Sequence, residues 1–351
     1  MIYRDVDMTN SSTLRLISTA AAKLTIHTIS DIQDAINFCH EKNLPMMPLG
    51  DGSNVILSST VNACILDMAM LGIDVINENS TNIWVRVGAG ENWHEWVTHA
   101  LSKNWFGLEN LALIPGRVGA APIQNIGAYG IEVASYIDSV EYVDLSRNHV
   151  TDLSVLQLKS DECQFSYRNS IFKQHRSNRL ITSVTFCLDK VFTPHTDYPS
   201  LRQRIVALDV PNPHAVDIFQ AVINLREKKL PDPKLLPNAG SFFKNVQINP
   251  ATLERLLEKY PSLPFYEVND DQSACVKLPA AWLIEYCGFK GQQIGSLAMH
   301  ANQALVLINK GLDEGFQNNT AEKVLAFADT IIRSVRQEFD LTLDIEPQFI
   351  E

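Results

Sequence analysis

The six cysteines of this 351-residue chain are never spaced as C-x-x-C, the arrangement typical of zinc and thiol–disulfide sites. We therefore expect no metal site and reduced, partly buried thiols in a cytoplasmic protein. No apolar run approaches the ~20 residues of a membrane span. The N-terminus also lacks the basic and apolar regions of a signal peptide, so we expect neither secretion nor a membrane.

Positive charge is scarce, because 29 Lys and Arg stand against 40 Asp and Glu and give a net charge of −11. A nucleic-acid-binding surface needs clustered cations facing phosphates, so we expect no nucleic-acid partner. A small anion site needs only a few local cations. The glycine signatures of P-loop NTPases and of Rossmann dinucleotide sites are absent as well, which disfavours both classes.

The sequence is rich instead in glycine over Ile114–Gly130, which holds four glycines, two prolines and three alanines. Glycine lets backbone N–H groups approach a ligand because no Cβ intervenes, and Gln124 and Asn125 add polar side chains. This segment predicts a loop shaped around a large polar ligand. The shorter loop Gly50–Asn54 can hold a pyrophosphate, although the same residues also make an ordinary turn.

Apolar periodicity predicts a chain of alternating helices and strands. Four prolines between residues 194 and 213 indicate a connection, after which a new domain begins. Helices are predicted over 31–43, 92–103, 215–229, 251–259, 280–287 and 320–339, and strands over 45–48, 64–66, 83–87, 139–145, 180–188, 304–308 and 341–345.

Three further segments carry polar groups suited to chemistry. Arg168 lies in Tyr167–Lys173, Ser241 follows a glycine in Asn238–Asn245, and Glu346 ends the last predicted strand. Each has an ordinary interpretation when taken alone: an arginine is mostly a surface or salt-bridge residue, a Gly-Ser pair is mostly a turn, and a strand-end glutamate is mostly solvated.

Together these segments resemble the UDP-N-acetylenolpyruvoylglucosamine reductase family, in its longer subclass with a tyrosine-bearing loop. The resemblance runs from about residue 25 to the C-terminus. The matching motifs, in the family's order, are Ile114-Pro-Gly…Ile-Gly-Ala-Tyr-Gly130, Tyr167-Arg-Asn-Ser-Ile-Phe-Lys173, Tyr198-Pro-Ser-Leu201, Lys229-Leu-Pro-Asp-Pro233, Ala239-Gly-Ser-Phe-Phe-Lys-Asn245 and His300-Ala-Asn-Gln-Ala304.

The resemblance implies an α+β fold: a two-domain FAD-binding fold of the vanillyl-alcohol-oxidase type and a third, α+β substrate-binding domain. The implied boundaries are 1–70 joined by a C-terminal strand in 341–351, then 71–211, then 212–340. It also implies a monomeric, cytoplasmic enzyme of peptidoglycan precursor synthesis. With FAD and NADPH as cofactors, that enzyme reduces UDP-N-acetylglucosamine enolpyruvate to UDP-N-acetylmuramate.

The same resemblance implies roles for individual residues. Arg168 would stabilise developing negative charge, Ser241 would donate a proton, and Glu346 would orient the substrate carboxylate. Cofactor contacts are implied at Gly50, Gly52, Ser53, Asn54, Pro115, Gly116, Gly119, Ala120, Gln124, Asn125, Gly127 and Ala128. Substrate contacts are implied at Tyr129, Tyr198, Lys229, Asn245 and Gln303.

The chain departs from the family pattern in three places. Asp51 replaces a usual glycine and would repel a pyrophosphate unless its side chain points away; Asn169 replaces a common aspartate; and the ending after Glu346 differs from the usual Glu-Val-Arg. Two other functions therefore stay open: another FAD-dependent oxidoreductase of the same superfamily, and a flavin-binding protein without catalysis.

Overall fold

The computed structural model describes residues 2–146, 153–174, 178–210, 212–268, 275–311 and 319–351. They form two compact units. The first unit comprises the described residues within 1–6, 20–51 and 62–228, and the second those within 7–19, 52–61 and 229–351. Each unit has its own apolar core. The finer division into 1–70, 71–211 and 212–340 stays a prediction.

The described helices are α1 (Ile29–Lys42), α2 (Trp93–Ser102), α3 (Ile171–Gln174), α4 (Pro199–Ala207), α5 (Ala215–Lys229), α6 (Pro250–Lys259), α7 (Ala280–Tyr286) and α8 (Ala321–Phe339). The strands are β1 (Ile2–Asp7), β2 (Thr19–Ile26), β3 (Met46–Leu49), β4 (Val55–Leu57), β5 (Thr60–Met68), β6 (Ile73–Glu78), β7 (Asn82–Gly88), β8 (Gly127–Ala128), β9 (Ile131–Glu132), β10 (Ile137–Asp144), β11 (Val155–Lys159), β12 (Arg179–Asp189), β13 (Asn238–Ser241), β14 (Val246–Ile248), β15 (Tyr266–Val268), β16 (Cys275–Leu278), β17 (Gln293–Ile294), β18 (Leu297–Met299), β19 (Val306–Asn309) and β20 (Gln348–Ile350).

Two sheets build the first unit. One has the order β1-β2-β5-β3, and the other has the order β11-β10-β12-β7-β6. Strand β3 runs parallel to β5, whereas β12 runs antiparallel to both β10 and β7. Because β12 lies in the middle of its sheet, most of its side chains are buried. Both glycine loops begin in this unit, as does the segment that carries Arg168.

The second unit contains a sheet of order β13-β19-β18-β17, a sheet of order β14-β16-β15, and the parallel pair β20-β4. Helix α8 buries an apolar stripe at helical spacing in this core: Val324, Ala328, Ile331 and Val335. Strand β20 pairs with β4 from Gln348 opposite Val55 to Ile350 opposite Leu57. The C-terminal segment is thereby bound to residues that directly follow the first glycine loop.

The structure corrects three details of the sequence interpretation. Helix α1 begins before the predicted residue 31, because Thr28 caps it and Asp31 completes a capping box from inside the first turn. The predicted strand 341–345 contains one isolated bridge, Phe243 with Ile345, and the regular final strand is β20. Helix α4 lies in the stretch interpreted as a connection. Among the described residues, no helix is long and apolar enough to cross a membrane.

Candidate active site

An ion pair neutralises the negative charge of Asp51 in the first glycine loop. The Asp51 carboxylate accepts a 2.7 Å hydrogen bond from Nε of Arg117, which belongs to the second glycine loop. The stem of Arg117 covers Gly50, where an added Cβ would lie 3.6 Å from the Arg117 side chain. The charge expected to repel a pyrophosphate is therefore paired within its own unit.

The second glycine loop is packed tightly on its own unit. The Gly119 amide donates to the Ala89 carbonyl at 2.9 Å, and a Cβ on Gly119 would approach the Cβ of Ala89 to 2.6 Å. The Gly116 carbonyl accepts from Trp93 at 3.0 Å. The loop ends in the β8–β9 hairpin, whose turn residues Tyr129 and Gly130 both have positive φ. Within the loop Pro115 is exposed, Gly116 and Gly119 are buried, and Ala120, Gln124 and Ala128 are half-buried.

Asn125 is a buried member of this loop, and its side-chain amide is used within the protein. Its Nδ2 donates to Glu132 at 2.7 Å and to the Ser166 carbonyl at 3.3 Å. Its Oδ1 accepts from the Ala134 amide at 3.0 Å. The side chain thus connects the glycine loop to the segment before Arg168. A direct contact of Asn125 with a cofactor stays a prediction.

Arg168 lies against the end of the same loop. Its Nη2 donates to the Gly127 carbonyl at 3.0 Å, and its Nη1 lies 3.5 Å from the Asn125 carbonyl. The residue has a left-handed backbone with φ 53°, and Lys173 donates to its carbonyl at 3.0 Å. The structure therefore brings Arg168 together with Asn125 and Gly127, two residues predicted to bind the cofactor.

The two tyrosines predicted to contact substrate stand edge to face, with ring centroids 5.4 Å apart. Tyr198 precedes helix α4 and occupies its N-cap position. The buried Asn110 joins the two segments, because its Nδ2 donates at 2.9 Å both to the Tyr129 carbonyl and to the His195 carbonyl. The His195 ring also lies 3.3 Å from the Tyr136 hydroxyl. The sequence did not single out Asn110.

A second arginine of the first unit, Arg226, interacts electrostatically with Tyr129 and Arg168. Arg226 lies on α5, and within the described part of the chain its buried Nε has no hydrogen-bond partner. Burial lowers its pKa; Tyr129 raises it and Arg168 lowers it, so both lie within electrostatic reach. The sequence motifs did not single out Arg226. The missed signal is its spacing, since it follows buried Ile218 and Val222 on one helix face.

Ser241 and Glu346 come together in the second unit. Ser241 ends β13 opposite Val306 of β19. The next residue, Phe242, accepts a 2.9 Å hydrogen bond through its carbonyl from the Glu346 amide. Gly240 has φ 70° with open space around its missing Cβ, so glycine serves the backbone conformation there rather than close packing. The proton donor and the carboxylate implied by the resemblance are thus backbone neighbours.

The residues just before β4 lie in the same neighbourhood of the second unit. Asn54 Nδ2 donates to the Glu346 carbonyl at 3.5 Å, and the Asn54 carbonyl accepts from Gln348 at 2.9 Å. Ser53 accepts through its carbonyl from the Thr13 hydroxyl at 3.4 Å. Gly52 has φ 61°, and a Cβ there would lie 2.2 Å from the Ser11 carbonyl oxygen. Only glycine fits this close approach.

The remaining predicted substrate residues occupy separate places in the second unit. Asn245 Oδ1 accepts from the first amide of α7, that of Ala280, at 3.1 Å, which leaves its amide hydrogens to donate. Gln303 lies in the turn between β18 and β19. Strand β19 contains Val306, which pairs with Ser241. Lys229 ends α5 and is exposed.

Comparison of the chain with known proteins identifies the family to which it belongs. An FAD-binding domain model matches residues 20–154, and a model of the UDP-N-acetylenolpyruvoylglucosamine reductase C-terminal domain matches residues 232–350. The UDP-N-acetylenolpyruvoylglucosamine reductase of Polynucleobacter asymbioticus is 41% identical over 99% of this chain and 96% of that protein. The chain belongs to the UDP-N-acetylenolpyruvoylglucosamine reductase family.

Other members agree with this assignment. The reductase of Paraburkholderia xenovorans is 43% identical over 91% of this chain and 89% of its own length. The structural match to the crystal structure of the Thermus caldophilus reductase covers 100% of this chain and 99% of the reductase chain. Its TM-score is 0.66 at 21% sequence identity, which supports the fold. The expected fold class, FAD as cofactor and the assignment as an oxidoreductase of this family are confirmed. The roles of single site residues stay predictions.

Proposed function

We propose that this chain reduces the enolpyruvyl ether of UDP-N-acetylglucosamine to the lactyl ether of UDP-N-acetylmuramate, with NADPH as the electron source. The observation that supports it best is the backbone pairing of Glu346 with Phe242, because it brings Glu346 to the residue that directly follows Ser241. We propose a cytoplasmic monomer that needs neither a nucleic acid nor a membrane.

The residues present fit an anionic dinucleotide. The charge of Asp51 is offset by Arg117, and the buried Arg226 Nε has no hydrogen-bond partner among the described residues. The two glycine loops, Gly50–Asn54 and Pro115–Ala128, would hold FAD mainly through backbone groups. When bound, FAD supplies the hydride that is added to the CH2 carbon of the enolpyruvyl group.

Arg168 would stabilise the reaction electrostatically. Negative charge grows on the ether-bearing carbon and spreads into the substrate carboxylate, where a guanidinium can bind both oxygens. Its contacts with the Asn125 and Gly127 carbonyls support this role, because they orient the guanidinium before substrate arrives. Orientation in advance avoids reorganisation during the reaction.

Ser241 would protonate the ether-bearing carbon. A serine hydroxyl is a weak acid, but the enolate-like intermediate is a strong base, so transfer between them is favourable. Glu346 would orient the substrate carboxylate, as the resemblance implies.

The nucleotide part of the substrate would be bound by residues outside the reacting centre. Lys229 suits the diphosphate as a point charge. Tyr198 and Tyr129 would cover the nucleotide and exclude water, while Asn245 and Gln303 would donate hydrogen bonds to its polar groups. The side-chain oxygen of Asn245 already accepts from Ala280, which supports a donor role for its amide.

An anaerobic spectrum of the purified protein tests the proposal. A yellow flavin that bleaches with NADPH and recovers with UDP-N-acetylglucosamine enolpyruvate would support it. A flavin that bleaches but ignores this substrate would favour another oxidoreductase of the superfamily. A flavin that NADPH does not reduce would favour a binding protein without catalysis.

A further inference from the structure

Arg117 connects the two glycine loops of the first unit through a chain of ion pairs. Its Nε lies 2.7 Å from Asp51 of the first loop, and its Nη1 lies 2.9 Å from Asp67 at the end of β5. The Met68 carbonyl accepts from the same Nη1. Asp67 in turn lies 3.0 Å from Lys23 on β2. One guanidinium therefore holds a loop carboxylate against the C-terminal end of β5, an inner strand of its sheet.

The four charges cancel, since two carboxylates face one guanidinium and one ammonium. Their side chains are 35% exposed for Asp51, 23% for Arg117, 21% for Asp67 and 25% for Lys23. Charges that are partly shielded from water interact more strongly than fully exposed ones. Removing the guanidinium would leave Asp51 unpaired and Asp67 with Lys23 alone.

We propose that Asp51 and Arg117 form a positioning pair for FAD, which fixes the two glycine loops together and cancels the Asp51 charge beside the bound diphosphate. The inference rests on the proposed use of these loops for FAD. It assigns Asp51 a function in this chain, where the loop sequence alone indicates only repulsion. A loop that is ordered before binding loses less entropy when the cofactor arrives.

A double-mutant cycle on FAD affinity tests the pair. The full-length protein is freed of flavin and titrated with FAD, and bound flavin is followed by its absorbance. We expect Arg117→Ala to weaken binding at least fivefold. Asp51→Ala should change it less than threefold, because the lost link between the loops is offset by the removal of a negative charge beside the diphosphate. The double variant should bind FAD at least threefold more tightly than Arg117→Ala, since it no longer carries the unpaired Asp51 charge.

Salt and a matched control separate this role from a general loss of structure. The deficit of Arg117→Ala should shrink between low and high salt, because screening weakens repulsion between charges. Arg86→Ala removes another arginine of the same unit, bound to Asp74 at 3.1 Å on β6, and should leave FAD affinity within twofold of wild type. Thermal unfolding without flavin checks that each variant is folded, and Arg117→Gln replaces Arg117→Ala if the alanine variant is not.

The outcomes separate this inference from the proposed function. If the wild-type protein binds no FAD, both the proposed function and the positioning pair are wrong. If wild type binds FAD but the arginine variant matches it, or if the two single changes simply add in the double variant, only the positioning pair is wrong.

Discussion

Replacing Asn110 tests how the tyrosine segments are held. Its Nδ2 donates two 2.9 Å hydrogen bonds, one to the carbonyl of Tyr129 and one to that of His195, three residues before Tyr198. The Asn110 side chain is 2% exposed, so water cannot readily replace it. Asn110→Ala would remove both bonds and leave two carbonyls without this donor.

The free energy lost in Asn110→Ala follows from these two hydrogen bonds. Each contributes about 1 kcal/mol net, so about 2 kcal/mol is lost from the arrangement that holds the tyrosines. Since 1.4 kcal/mol corresponds to a factor of ten, the population of the ordered arrangement falls by up to about 30-fold. We expect the KM for the UDP-sugar substrate to rise about 5- to 30-fold, whereas flavin reduction by NADPH stays within about twofold of wild type.

Asn309 offers a control in the second unit. It is also 2% exposed, and its Nδ2 donates to two carbonyls, those of Leu14 and Arg15. Its Oδ1 also accepts from the Gly311 amide and from Asn319, so Asn309→Ala should lower the melting temperature at least as much as Asn110→Ala does. It should nevertheless leave the substrate KM within about threefold of wild type. Equal KM values for the Asn110 variant and wild type, with the melting temperature lowered in both variants, would refute the reasoning.

The other predictions concern the reaction, substrate affinity and pH. Ser241→Ala should leave reduction of the flavin by NADPH nearly unchanged and slow its reoxidation by the enolpyruvyl substrate about 10²- to 10⁴-fold; equal losses in the two stopped-flow half-reactions would exclude the donor role. Arg168→Lys should also slow reoxidation more than flavin reduction, because an ammonium cannot bind a carboxylate in the forked geometry, and a larger effect on flavin reduction would contradict this. Lys229→Ala should mainly raise substrate KM, as expected for a remote contact, and a loss confined to kcat would argue against it. Burial alone would raise the pKa of Asp31, but hydrogen bonds from the amides of His27 and Thr28 and from the Thr28 hydroxyl hold it below its ordinary value. A depressed pKa stabilises the fold above the unfolded pKa and loses that contribution as pH falls through the folded pKa. The melting-temperature deficit of Asp31→Asn should therefore be largest near neutral pH and vanish in acid.

Strong local periodicity explains why several elements could be predicted from the sequence. Helix α5 was predicted with its observed bounds, because Ile218, Ala221 and Val222 repeat at helical spacing. Strand β2 was missed although it alternates, since two of its buried positions are alanines, which give a weak apolar signal. Helix α4 was missed because it buries only Leu201 and Ile205 and lies among prolines.

The candidate site was predictable only where a motif of contiguous residues carried it. Arg168, Ser241 and Glu346 could be named from such motifs, but the contacts that orient them join distant parts of the chain. The Glu346 amide pairs with Phe242 across a hundred residues of sequence. Asn110 belongs to no glycine-rich or charged motif, and its importance comes only from the two carbonyls that it reaches.

Asp51 shows that a residue which departs from a family pattern has to be judged together with the side chain that it contacts. Taken alone, an aspartate in a loop that faces a diphosphate is repulsive. Its partner Arg117 lies 66 residues away in sequence, and Arg117 is in turn held by Asp67. Because such pairing depends on the tertiary fold, no local pattern could reveal it. The aspartate therefore does not argue against FAD binding here, and removing Arg117 should do more damage than removing Asp51.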